Sequence, residues 1–173
     1  MKKYWTIFLP IILFTAVLMA QNETLVPKQE VVQKVPKPET SVELGIESIT
    51  KNKDGSYQLA MYMLNAEPVA GYQMDFLPEG IMQPITMRGG ISGELGYMMQ
   101  ASENGKVLGF SMQGTAIPVA SSDKLPNNIL YYLDVTFKGK PGQELTISFE
   151  SVIAGNKGAR LESINIPYKF TLQ

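Results

Sequence analysis

The chain has 173 residues, 45% of them hydrophobic and 18% charged, and a formal net charge of −1. That suffices for one domain with its own core, and it offers no concentrated basic surface for nucleic acid. Cysteine and histidine are both absent, which excludes a disulfide framework, a thiolate metal site and a cysteine nucleophile, and removes the commonest general base. The expectation is a binding protein rather than an enzyme, with no cofactor and no metal site.

In chain order, residues 1–20 come first. Met1, Lys2 and Lys3 form a basic start, and residues 4–20 carry no charge. This order reads as a secretory signal ending near Ala20, with an uncleaved anchor interrupted by Pro10 as the alternative. Either reading takes the rest of the chain out of the cytoplasm, so the expected location is secreted, periplasmic or on the cell surface. Any contact with a membrane would come through this segment alone. Residues 21–40, QNETLVPKQEVVQKVPKPET, set Pro27, Pro36 and Pro38 among Lys, Glu and Gln. Such a composition favours an extended spacer over packed structure.

From Ser41 onward, short alternating runs follow one another. Val42, Leu44 and Ile46 alternate with Glu43, Gly45 and Glu47. The Asp54-Gly55 pair is a hairpin signal, and Tyr57, Leu59, Met61 and Met63 then share one face. Over residues 69–77, Ala70, Tyr72, Met74 and Phe76 fall on one side, with Val69, Gly71, Gln73, Asp75 and Leu77 on the other. Residues 82–102 read as a glycine-rich loop, then a strand near 95–100, with room for a short helix. Residues 106–113 set Leu108, Phe110 and Met112 apart from Val107, Gly109, Ser111 and Gln113. Over 129–137, Ile129, Tyr131, Leu133, Val135 and Phe137 oppose Leu130, Tyr132, Asp134 and Thr136. Leu145, Ile147 and Phe149 form another inward set, as do Tyr168, Phe170 and Leu172. Many short strands separated by Gly, Pro and Asn predict an all-β sandwich or barrel over residues 41–173.

Three segments carry a family resemblance. NAEPVAGYQMDF (65–76) resembles the third-strand region of cohesin domains. GKVLGFSMQG (105–114) resembles a later strand of that family, and ILYYLDVTFKGKPGQELTISF (129–149) resembles its strand, glycine turn and strand. ESVIAGNKGARLE (150–162) and the last strand resemble the closing part. The resemblance implies a jelly-roll β-sandwich of about nine strands, of the carbohydrate-binding-module superfamily. It also implies a non-catalytic adaptor that binds a dockerin-like or other extracellular protein, with a link to extracellular polysaccharide breakdown. One cohesin-like domain without a catalytic or dockerin segment departs from the multi-enzyme scaffold pattern and favours a free-standing or anchored adaptor.

The resemblance points to Gln73 and Asp75 as partner contacts, joined by Ser111 and Gln113 on a neighbouring strand. Parity alone adds Tyr132 with Asp134, because an outward Tyr beside Leu130 can anchor an interface. Tyr62 with Leu64 makes a similar pair. Exposed tyrosines also stack on sugars, so a carbohydrate-binding module is a second reading, and a structural subunit of a surface assembly a third. Other chemistry finds weaker footing. MRGGISGELG has no following Gly-Lys-Ser/Thr to cradle a phosphate. Asp75 and Asp134 as a hydrolytic pair need a separation the sequence does not specify. Oxygens at Asp54, Asp123, Asn127 and Asn128 lack the spacing of a calcium loop.

Overall fold

The computed structural model describes residues 41–120 and 128–173. The expected export segment (1–20) and spacer (21–40) lie outside the described residues, as do Asp123 and Asn127. Among the described residues, no helix is long and apolar enough to cross a membrane.

Among the described residues, eleven strands form two facing sheets. They are β1 (Val42–Lys51), β2 (Tyr57–Asn65), β3 (Val69–Leu77), β4 (Met82–Arg88), β5 (Met98–Ala101), β6 (Lys106–Phe110), β7 (Ile129–Phe137), β8 (Glu144–Gly155), β9 (Arg160–Leu161), β10 (Ser163–Asn165) and β11 (Tyr168–Thr171). The first sheet runs β10-β1-β2-β7-β4, and the second β11-β8-β3-β6-β5 with β9 beside β8. Leaving aside the two- and three-residue strands β9 and β10, nine strands carry the sandwich.

The core is what the alternation predicts. Val42, Leu44, Ile46, Leu59, Met61 and Met63 from the first sheet are buried against Tyr72, Met74, Phe76, Ile147 and Phe149 from the second. At the β1–β2 hairpin, Asp54 Oδ1 accepts hydrogen bonds from the Ser56 backbone N–H at 3.0 Å and from the Ser56 hydroxyl. These bonds hold its carboxyl below the usual carboxylate range. Three tyrosines stack through the middle of the sandwich. Tyr72 lies between Tyr97, at 6.4 Å between ring centroids, and Tyr131, at 5.7 Å. Each hydroxyl has a partner, as a buried phenol requires: Ser92 Oγ for Tyr72, Met74 Sδ for Tyr131, and the Val69 and Thr115 carbonyls for Tyr97.

The structure corrects the sequence reading in four places, each for a local reason. Residues 82–88 are a strand rather than a loop. Strand β4 is an edge strand, where Pro84 is tolerated, and its bulge turns Ile85 outward. The glycines that follow open a short helix, α1 (Gly90–Glu94), and the next strand begins only at Met98. Gly90 has φ +61°, and a Cβ there would sit 2.6 Å from the Leu130 carbonyl oxygen, so glycine lets α1 lie on β7. A bulge at Ala70 turns Val69 into the core, and another at Leu130 exchanges that residue with Ile129: Leu130 is buried between the sheets and Ile129 lies on the outer side. In β6 the inward set is Val107 and Gly109, so Leu108 and Phe110 face outward. Gly109 faces the core because the Tyr72 ring occupies the space a side chain would need.

Candidate protein-binding face

Strands β3 and β6 are paired on both sides, so their outer face is a flat, fully hydrogen-bonded surface whose rows follow from register. One row crosses the sheet as Ala154, Gly71, Phe110 and Met98. The next is Val152, Gln73, Leu108 and Gln100. The third is Glu150, Asp75 and Lys106. The first two rows are largely apolar, with Met98 at 55% and Val152 at 48% exposure, and Leu108 and Phe110 half-buried between them. Gly71 belongs in this row because a Cβ there would press the Phe110 Cβ at 3.4 Å and the Gly109 carbonyl at 3.3 Å. Apolar residues gathered on a solvent-facing sheet and rimmed by polar groups make this face a candidate interaction surface.

Gln73 and Asp75 stand on this face, as parity predicts, but they first serve each other. Gln73 Nε2 donates to Asp75 Oδ2 at 3.0 Å, and Lys106 Nζ meets Asp75 Oδ1 at 3.0 Å. The Lys106 ammonium and then the Gln73 amide hold the Asp75 carboxyl below its ordinary range. A carboxylate with a depressed pKa adds stability above its unfolded value of about 3.9 and loses it as pH falls through the folded value. The Asp75 side chain is 40% exposed, so solvent screens the pair to well under ~1 kcal/mol. Urea unfolding of wild type and Asp75→Asn should therefore differ slightly at pH 6 and converge as the pH drops below 4. A large gap at pH 3 would contradict this assignment.

The remaining predicted contacts do not join them. Strand β6 ends at Phe110, so Ser111 and Gln113 lie on the turn beyond it; Ser111 Oγ accepts a hydrogen bond from the Thr115 backbone N–H at 3.0 Å, and Gln113 is exposed. Tyr132 and Asp134 lie on the outer side of the other sheet. Asp134 forms a salt bridge with Arg88 of β4 and accepts a hydrogen bond from Gln58 Nε2 at 3.3 Å, which ties β2, β7 and β4 together. Tyr132 packs beside Tyr62, Ala60 and Ile129 in a satellite cluster. Tyr62 is only 8% exposed: its ring covers Gly45 and its hydroxyl donates to Glu43 Oε1 at 2.9 Å. Burial and the adjoining Glu43 push that phenol up to about 12. A ring so covered leaves little face for stacking a sugar. Asp75 and Asp134, on opposite outer faces, do not form a hydrolytic pair.

The sequence reading missed Leu108, Phe110, Met98 and Val152. Alternation assigns Leu108 and Phe110 to the core, since apolar residues on a strand are ordinarily inward. No local signal marks them, because the Tyr72 ring that crowds Gly109 onto the core side comes from another strand.

No protein-family model matches the sequence, and no curated protein matches it. Solved structures do. A chain of the CaDoc0917-CaCohA2 complex aligns with a TM-score of 0.57 at 14% identity, over 76% of this chain and 99% of that one. The third ScaB cohesin of R. flavefaciens, solved in complex with a group 1 dockerin, aligns with a TM-score of 0.55 at 10% identity, over 80% and 99%. The sixth cohesin of Acetivibrio cellulolyticus scaffoldin B, solved with a mutant Cel5 dockerin, aligns with a TM-score of 0.54 at 12% identity, over 78% and 100%. The fold is a cohesin-type β-sandwich.

Proposed function

We propose that this chain is an exported, non-catalytic protein-binding module that engages a dockerin-type partner through the outer face of β8-β3-β6-β5. The apolar strip of Phe110, Leu108, Met98 and Val152 carries the reading: Met98 and Val152 are exposed, Leu108 and Phe110 half-buried between them, and its two central strands have no free backbone groups for another strand to pair with. Over those two strands a partner therefore meets side chains. Similar folds include cohesins solved with dockerins bound, and the start of the sequence supports export. A role beside extracellular polysaccharide-degrading enzymes belongs to the same proposal and is supported by the family resemblance. Gln73, Asp75 and Lys106 form the polar rim in this reading, while Tyr132 and Asp134 brace the opposite sheet.

The test is titration of the full-length protein against a panel of purified dockerin modules, with Phe110→Asp/Val152→Asp as the control. Burying two carboxylates at the centre of an interface should weaken binding by ~100-fold or more. Asp75→Ala, at the rim, should change it by less than ~10-fold and leave folding nearly intact. Dockerin binding that survives the double substitution would move the site elsewhere.

A further inference from the structure

With no cysteine and ten methionines, thioethers are the chain's only sulfur, and the fold sorts them by access. Met61, Met63, Met74 and Met82 are buried in the core, and Met74 Sδ also accepts the Tyr131 hydroxyl at 3.1 Å. Met87 and Met99 are half-buried against the same core. Among the described methionines, only Met98 and Met112 are exposed, at 55% and 69%. Their places differ. Met112 lies in the turn beyond the end of β6. Met98 stands on β5 directly opposite Phe110, at the end of the row that runs through Gly71 and Phe110. Side chains so opposed have Cβ atoms about 4.5–5.5 Å apart, so Met98 and Phe110 share one apolar patch.

Resting on the binding face proposed above, we infer that Met98 is a site of oxidation by hydrogen peroxide and that its sulfoxide weakens the hold of that face on a partner. A lone pair on Met98 Sδ attacks one oxygen of the peroxide, and the S–O bond forms as the O–O bond breaks. The departing hydroxide takes the proton of the transferred oxygen and leaves as water. Sulfur gives up two electrons and the peroxide gains them, so no further reactant is consumed. The product puts a strong hydrogen-bond acceptor where an apolar side chain stood. In the free protein that oxygen is hydrated, and its outward position on β5 leaves the core untouched. Under the apolar residues of a partner it loses that hydration with no donor in return, so the cost falls on binding rather than on folding. The buried methionines have the opposite profile, because peroxide reaches them only when the sandwich opens.

The test treats the full-length protein with hydrogen peroxide and follows each methionine by peptide mass spectrometry. Sulfoxide is expected at Met98 and Met112 at least ~10-fold faster than at Met61, Met63, Met74 or Met82. Equal rates at Met98 and at these buried residues overturn the modification site. Treated and untreated protein are then titrated against the dockerin panel. Oxidation should weaken binding by about 3- to 10-fold and leave thermal unfolding unchanged. Met98→Leu, a swap of similar volume, should bind equally before and after treatment, whereas Met112→Leu should lose affinity as the wild type does. A loss that persists in Met98→Leu, or no loss once Met98 carries its sulfoxide, overturns the control of binding and leaves the face standing. Failure of the untreated protein to bind any dockerin overturns the face and the control together, while the mass spectra judge the modification separately.

Discussion

Replacing Phe76 by alanine is expected to lower the unfolding free energy by about 3–5 kcal/mol, the usual cost of removing a large core aromatic. Phe76 is 3% exposed, and its ring packs against Phe149 at 5.4 Å between centroids, tilted by 49°. Its backbone N–H already donates to the Gly105 carbonyl at 3.1 Å, so the substitution leaves the ladder in place and removes packing alone. The resulting void faces Phe149 and the remaining core, and a strand paired on both sides has little freedom to collapse into it. Urea denaturation is the measurement, with Asp75→Ala as the internal comparison. One position earlier and on the outer face, that change should cost less than about 1 kcal/mol. The opposite ranking would mean that β3 presents its other side to the core.

The second large effect is expected at Gly109. A Cβ built there lies 2.1 Å from Tyr72 Cζ and 2.3 Å from its hydroxyl oxygen. Real side chains do not approach so closely, and the Tyr72 ring has nowhere to go. It is stacked between Tyr97 and Tyr131, and its hydroxyl is bonded to Ser92 of α1. Gly109→Ala should therefore destabilise by about 1–3 kcal/mol or more through over-packing, although it adds one methyl group. The same exchange at Gly71, whose nearest neighbours stand at 3.3 and 3.4 Å, should be the milder of the two. A double-mutant cycle separates crowding from backbone propensity: Gly109→Ala should be close to neutral in a Tyr72→Val background. If the single substitution is harmless in the wild-type background, the tyrosine stack is not the rigid element described here.

Both residues show how far the sequence could be read. Phe76 was legible because β3 alternates without interruption from Tyr72 to Leu77, and a period of two reports burial wherever pairing is regular. Gly109 was not legible, because its place depends on a ring contributed from another strand. The same division runs through the candidate site. Gln73 and Asp75 follow from alternation. Leu108 and Phe110 are apolar residues on the solvent side, and no local pattern separates that from core burial. Tyr132 and Asp134 do point outward, as parity says, yet parity is silent on which of two sheets a strand joins. Ser111 and Gln113 lie beyond the strand because β6 stops at Phe110, where a turn bonded through Ser111 replaces the ladder.

By itself, then, the sequence determined the class of fold, the inward set of nearly every long strand and the turns between them, because local backbone preference and a two-residue period are properties of neighbours in the chain. Only the tertiary structure decided the order of the strands in each sheet, the bulges at Ala70 and Leu130 that reverse neighbouring side chains, and the union of Phe110, Leu108, Met98 and Val152 into one surface. Those depend on which distant strands exchange hydrogen bonds, a choice made by the fit of the whole core.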